Sequence, residues 1–301
     1  MNISGAGNPT SYFSQPSTEL DPKLFQGRNL RGWARTGITQ LLHDFLHQNY
    51  RHAELWAHPW LAGSGVSYQW SADRQPGDLD CLVGVNFVQF RQANPEYRGL
   101  MDTEIAATLN EDFREKLQPQ TENWNGYELT FYVNATGTDI RNLKPYAAYD
   151  LKYDEWTVAP DPSQTAPNKP DWESVVSGDY TLAGQIHNRF NAALQDVQVS
   201  RSGANQRNAE VKLMAAAQQA DALYSEIHTN RSQAFSPSGE GYGDFNNYRW
   251  QSGKRLGTID KLRAIRQYSE TMGKNRQEST YGVELPDART LIRRAALQGK
   301  R

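Results

Sequence analysis

Residues 79–87 read LDCLVGVNF, a short apolar run of strand length, and Asp78 stands directly before it. Side chains at i and i+2 of a strand share a face. Asp78 and Asp80 therefore project together, while Leu79, Cys81 and Val83 point the other way into a core. Two carboxylates held side by side repel one another, and one takes up a proton unless a cation lies between them. Hard divalent cations such as Mg²⁺ take oxygen ligands of this kind and keep waters and substrate phosphates in their remaining positions.

Upstream, the pair Gly63-Ser64 precedes Asp78 by a spacer of thirteen residues. A Gly-led turn opens backbone N–H groups toward phosphate, and a Ser hydroxyl can bond it. Downstream, residues 127–133 read YELTFYV, with the period-two alternation of a strand. Glu128 shares a face there with Thr130 and Tyr132. It joins Asp78 and Asp80 if the two strands are neighbours, and Asp150 and Asp154 compete with it for the third acidic position.

Around these strands the pattern is helical. Ile38, Leu41, Leu42, Phe45 and Leu46 follow helical spacing between Gly32 and Tyr50, as do Met101, Ile105, Leu109, Phe113 and Leu117. Residues 60–77 hold Gly63, Gly65, Pro76 and Gly77 and are expected to be a turn-rich connection. Residues 149–158 are expected to be a strand or hairpin arm. Residues 159–170, APDPSQTAPNKP, carry four prolines and read as a linker. Beyond it, stripes at Leu182–Ile186–Phe190–Leu194–Val197, at Leu213–Ala217–Ala220–Tyr224–Ile227 and at Ile259–Leu262–Ile265 predict three helices. The expected organisation is a flexible segment over 1–30, an α/β (α+β) core over 31–160 and a basic helical domain over 161–301.

Composition narrows the classes. The chain has 301 residues, one cysteine and a net charge of −2. One cysteine excludes a disulfide framework and a Cys-based zinc site. No apolar run approaches about 18 residues, so no membrane helix is expected, and the first residues lack a signal-peptide pattern. A cytoplasmic protein with no membrane partner is the expectation. Residues 1–160 hold 13 Lys and Arg against 19 Asp and Glu, whereas 161–301 hold 19 against 15. No Walker-type loop and no Gly-x-Ser-x-Gly elbow is present, and neither His58 nor His187 sits in a pattern that supplies a partner.

Gly63-Ser64, the spacer, Asp78-Leu79-Asp80 and a later strand acid resemble the nucleotidyltransferase superfamily of DNA polymerase beta type over roughly residues 30–160. The spacer is long for that pattern, and the third acid is Glu rather than the commoner Asp. The resemblance implies a mixed sheet with flanking helices, a nucleoside triphosphate donor such as ATP, two Mg²⁺ (or Mn²⁺) ions and release of pyrophosphate. It implies that Gly63 and Ser64 meet the triphosphate, that Asp78 and Asp80 hold both metals, and that Glu128 binds the catalytic metal and helps deprotonate the acceptor hydroxyl. Cationic side chains of a second domain often clamp a triphosphate. His228, Arg231, Lys254 and Arg255 are candidates for that role, and Tyr242, Tyr248 and Trp250 are candidates for stacking on a base or for core. The expected function is transfer of a nucleoside monophosphate to a hydroxyl of an RNA 3′ end or a protein. The alternatives are synthesis of signalling oligonucleotides and a non-catalytic nucleic-acid-binding module of the same fold.

Overall fold

The computed structural model describes residues 10–73, 75–135, 139–167, 169–200 and 203–281, without the side chains of 274–281. They form a mixed α/β architecture, 60% helical, with one five-stranded mixed sheet and a helical C-terminal region. No helix among them is long and apolar enough to cross a membrane. The chain divides into two compact units.

The sheet unit holds residues 11–165 and 235–242. A small hairpin, β1 (Phe25–Gln26) and β2 (Asn29–Leu30), turns at Gly27, where φ is +61°. Helix α1 (Gly32–Asn49) follows, then the single turn α2 (Ala53–Trp56) and strand β3 (Ala57–Ala62). Strand β4 (Gly77–Val85) leads into α3 (Phe87–Ala93), which Asn86 caps by accepting from the Gln89 N–H. Helix α4 (Asp102–Asp112) widens into a π-helical turn over Phe113–Leu117 and ends as α5 (Gln118–Thr121). Strand β5 (Tyr127–Tyr132) and the hairpin β6 (Ala148–Asp150) and β7 (Glu155–Val158) complete the sheet. The strand order is β5-β4-β3-β6-β7, with β4 and β5 parallel and every other pair antiparallel.

The two faces of the sheet differ. Leu61, Leu79, Cys81, Val83, Leu129 and Phe131 form the face that packs on Ile38 and Leu42 of α1, Phe90 of α3 and Ile105 and Leu109 of α4. Each fully buried Leu or Ile there is worth about 1.5–3 kcal/mol in removal from water. On the opposite face Trp60, Ala62, Leu82 and Ala148 pack with Ile140 and Leu143 in a smaller cluster. The start of β4 and β5 on that second face carries the acids.

Two expectations change. Part of the stretch expected to be a turn-rich connection is β3, an inner strand. The glycines that follow it, Gly63 and Gly65, carry the turn reading back into the strand; Pro59 also lies within β3, although proline has no N–H for a ladder and is rare inside sheets. Here the Pro59 carbonyl still accepts from Leu151 N–H at 3.2 Å. Residues 10–30 are not a loose lead-in either: Tyr12, Leu20, Leu24, Phe25 and Leu30 are buried. Asp21, also buried, accepts the Tyr127 hydroxyl at 2.7 Å and ties this segment to β5. Residues 1–9 of the segment expected to be flexible lie outside the described residues.

Among the described residues, the helical unit holds 166–234 and 243–281, together with Thr10. Helices α6 (Pro170–Val199), α7 (Gly203–Ala234), α8 (Phe245–Leu256) and α9 (Thr258–Tyr281) pack around Ile186, Phe190, Leu194, Ala220, Ile227, Ile259, Leu262 and Ile265. Buried Arg249 is gripped by both oxygens of Asp179 at 2.6 and 2.8 Å and by Glu226 at 2.7 Å. The segment Phe235–Tyr242 between α7 and α8 belongs to the sheet unit. The domain boundary read at residue 160 therefore misses a return of the chain. Lys144 donates to the Gly239 carbonyl, and Tyr242 packs on Tyr12 and Tyr146 with ring centroids 4.9 and 4.6 Å apart.

Candidate active site

Strand register brings the predicted acids together. Asp78 pairs directly with Glu128 across the parallel β4–β5 ladder, and Asp80 pairs with Thr130. On its other side Asp80 pairs with Ala62, the last residue of β3. Burial alternates along β5, with Tyr127, Leu129 and Phe131 buried and Glu128, Thr130 and Tyr132 partly exposed. Leu79 and Cys81 are fully buried, alternating with the partly exposed Asp78 and Asp80. The period-two reading of both strands therefore places the three carboxylates on one face. The Cys81 thiol is pushed far up by burial and, secondarily, by the negative charge of Asp80. That leaves it a core residue with no thiolate chemistry.

The turn after β3 lies against this acidic strand. Gly63 has φ +93°, a region that L side chains rarely enter. A Cβ there would meet Asp80 Oδ2 at 2.8 Å. At Gly65 a Cβ would collide with the Asp78 carbonyl oxygen. Both glycines thus let the Gly63-Ser64-Gly65 turn approach Asp78 and Asp80 closely. The Gly63 N–H donates to the Ala147 carbonyl at 3.2 Å, and the Ser67 hydroxyl donates to the Ser64 carbonyl at 2.9 Å. In the sequence Gly65 counts only toward the turn-rich connection; its close approach to Asp78 makes it a residue of the site.

The competing acids are engaged elsewhere. Asp150 is buried on β6; its Oδ1 accepts from the N–H groups of Lys152 and Tyr153 at 2.8 and 2.9 Å, and its Oδ2 lies 2.7 Å from His58 Nε2. Asp154 accepts the Tyr149 hydroxyl at 3.0 Å and faces Arg35 at 3.4 Å. His58 therefore has the partner its sequence context did not show, and its ring stacks on Trp60 at 4.1 Å. Among the described residues no group of three or more His, Cys, Asp or Glu is arranged to hold a metal ion.

The four cationic candidates lie in the helical unit. His228 keeps one edge in solvent while its ring stacks on Tyr224 at 5.7 Å and meets Trp250 edge-on at 5.5 Å. Desolvation, then the positive charges of Arg231, Arg266 and Arg263, hold its imidazole below the usual range. The Arg231 guanidinium sits over the Trp250 ring at 5.2 Å. Lys254 and Arg255 close the last turn of α8, where cations complement the helix dipole. Tyr242, Tyr248 and Trp250 are buried, so they are core residues rather than exposed stacking platforms.

No family model, curated protein or solved structure matches this chain.

Proposed function

We propose that this chain is a metal-dependent nucleotidyltransferase of DNA polymerase beta type, moving a nucleoside monophosphate from a triphosphate such as ATP to a hydroxyl acceptor. The observation that carries the reading is the register of Asp78 opposite Glu128, with Asp80 beside the glycine turn that its own carboxylate would block against any larger residue. Neighbouring strands run about 4.8 Å apart, a span two carboxylates can close toward a shared cation. The donor set is all oxygen, which suits Mg²⁺ or Mn²⁺ over softer metals. When bound, two such ions supply charge stabilisation at the attacking and leaving oxygens of an in-line displacement.

The chain's own residues do the rest. Asp78, Asp80 and Glu128 would hold the ions, and the backbone around Gly63 with the Ser64 hydroxyl would meet the triphosphate. The acceptor oxygen bonds to the α-phosphorus as the bond to the bridging oxygen breaks and pyrophosphate leaves. The acceptor proton passes to the Glu128 carboxylate.

The test is incubation with labelled NTPs and Mg²⁺, with and without tRNA or carrier protein. Transfer with pyrophosphate release is expected from the native chain, and Asp78→Ala or Asp80→Ala should abolish it while leaving the circular dichroism spectrum intact. Full activity in either variant would remove the site assignment. Short oligonucleotides formed without a macromolecular acceptor would identify an oligonucleotide synthase instead. No transfer to any acceptor would favour a binding module.

A further inference from the structure

One residue before the acidic row, on the same two strands, the sheet ends beside a shallow, open surface cleft lined by Pro22, Lys23, Arg31, Trp33, Asn125 and Tyr127. Gly77 and Tyr127 are register partners immediately ahead of Asp78 and Glu128. A Cβ at Gly77 would meet the Tyr127 ring at 2.7 Å, so that ring lies against β4 and lines the cleft. Trp33 is 43% exposed, although it is one of the largest apolar side chains in the protein. It is held from behind by Trp124, whose ring centroid is 5.4 Å away at a 30° tilt. Trp124 in turn lies on α1 only because Gly37 has no Cβ; one there would stand 2.7 Å from the Trp124 ring.

The polar rim is cationic. Arg31 donates from Nε to the Pro22 carbonyl at 3.0 Å, which fixes the guanidinium and leaves its two terminal nitrogens for a ligand. Neither Lys23 nor Arg31 forms an ion pair among the described residues. The nearest acid in the segment, Asp21, is buried and engaged by the Tyr127 hydroxyl and the Lys23 N–H at 2.7 and 2.9 Å. A pre-positioned exposed indole flanked by two unpaired cations is the combination that binds a base by stacking and its phosphates by charge.

We propose that this cleft seats a single-stranded polynucleotide, whose end reaches the acidic row around the end of β4 and β5. The proposal rests on the nucleotidyltransferase reading of that row and narrows its acceptor to a nucleic acid. A protein acceptor has no need of an exposed indole between two unpaired cations.

The test is fluorescence anisotropy on the full chain with a labelled single-stranded oligouridine about 12 nucleotides long, within the usual site size. The matching oligodeoxynucleotide and the free mononucleotide serve as separate arms. Binding should weaken roughly ten-fold or more in Lys23→Glu/Arg31→Glu, and the salt dependence of its logarithm should lose a slope of about 1.4. Trp33→Ala should weaken it about five-fold or more, and Trp33→Phe should restore most of the loss. An advantage of RNA over DNA assigns the strand's sugar. A mononucleotide that competes as well as the oligonucleotide would overturn the strand site, as would unchanged binding by folded cleft variants. Asp78→Ala/Asp80→Ala should bind like the native chain. Strand binding through the cleft with no label transfer to any acceptor would remove the catalytic reading and leave the cleft. Transfer that the cleft variants perform normally would remove the cleft alone.

Discussion

Gly63 illustrates how much a single residue decides here. Its φ of +93° and the 2.8 Å approach of Asp80 Oδ2 to an added Cβ act in the same direction. Gly63→Ala should therefore cost about 1–3 kcal/mol in urea denaturation and displace the Asp80 carboxylate, with a larger loss in transfer rate than in stability. At His228 the sign of a pH effect follows from its surroundings. Desolvation and the neighbouring arginines disfavour its charged form in the folded chain. Between the depressed folded value and the ordinary value of about 6.5, the unfolded chain binds more protons, so stability rises with pH. The contribution is present above that window and is lost as the pH falls through it. His228→Gln should flatten this part of the stability profile just below the ordinary value of about 6.5, and an unchanged slope would show that another group titrates there. Neither effect was legible from local sequence: Gly63-Ser64 was visible, but the closeness of Asp80 and of the α9 arginines was not.

Among the elements, α1 shows two rules in conflict. Its apolar stripe at Ile38, Leu42, Phe45 and Leu46 was readable at helical spacing, and those residues are buried. Gly37 inside it breaks propensity, which favours Ala there by about 1 kcal/mol. The Trp124 ring occupies the space that a Cβ would need. Overpacking against a rigid ring costs about 1–3 kcal/mol, so Gly37→Ala should lower stability despite the better helix former. Chemical denaturation measures the sign directly, and a stabilised variant would mean that Trp124 moves freely. Strand β3 is the converse case. Pro59 disfavours a strand locally, yet flanking strands on both sides and the shielding of Trp60 and Leu61 outweigh that preference. The third acid became distinguishable only through pairing, because Glu128 and Asp150 look equivalent in sequence. Strand order places one opposite Asp78 and the other against His58.

For the whole molecule, the return of Phe235–Tyr242 to the sheet unit has a measurable consequence. A chain ending after Thr165 keeps every strand but loses the Tyr242 ring from Tyr12 and Tyr146 and the Gly239 acceptor from Lys144. It should melt several degrees below the sheet unit of the full chain, as expected when about 1–3 kcal/mol of aromatic packing and a hydrogen bond is lost. Equal melting would show that this segment adds nothing to the unit. The acidic front and basic back were visible by counting, but the charge that matters is local: two unpaired cations, Lys23 and Arg31, sit inside the acidic half. By itself the sequence determined the main helices, the strands β4 and β5 and which of their residues share a face, because helix and strand periods are properties of a few consecutive residues. Only the tertiary structure decided that β4 and β5 are neighbours in a register that sets Asp78 against Glu128, that Asp150 belongs to His58, and that Trp33 stands exposed at the end of the same two strands. Those relations join residues distant along the chain, and packing, not local preference, chooses among them.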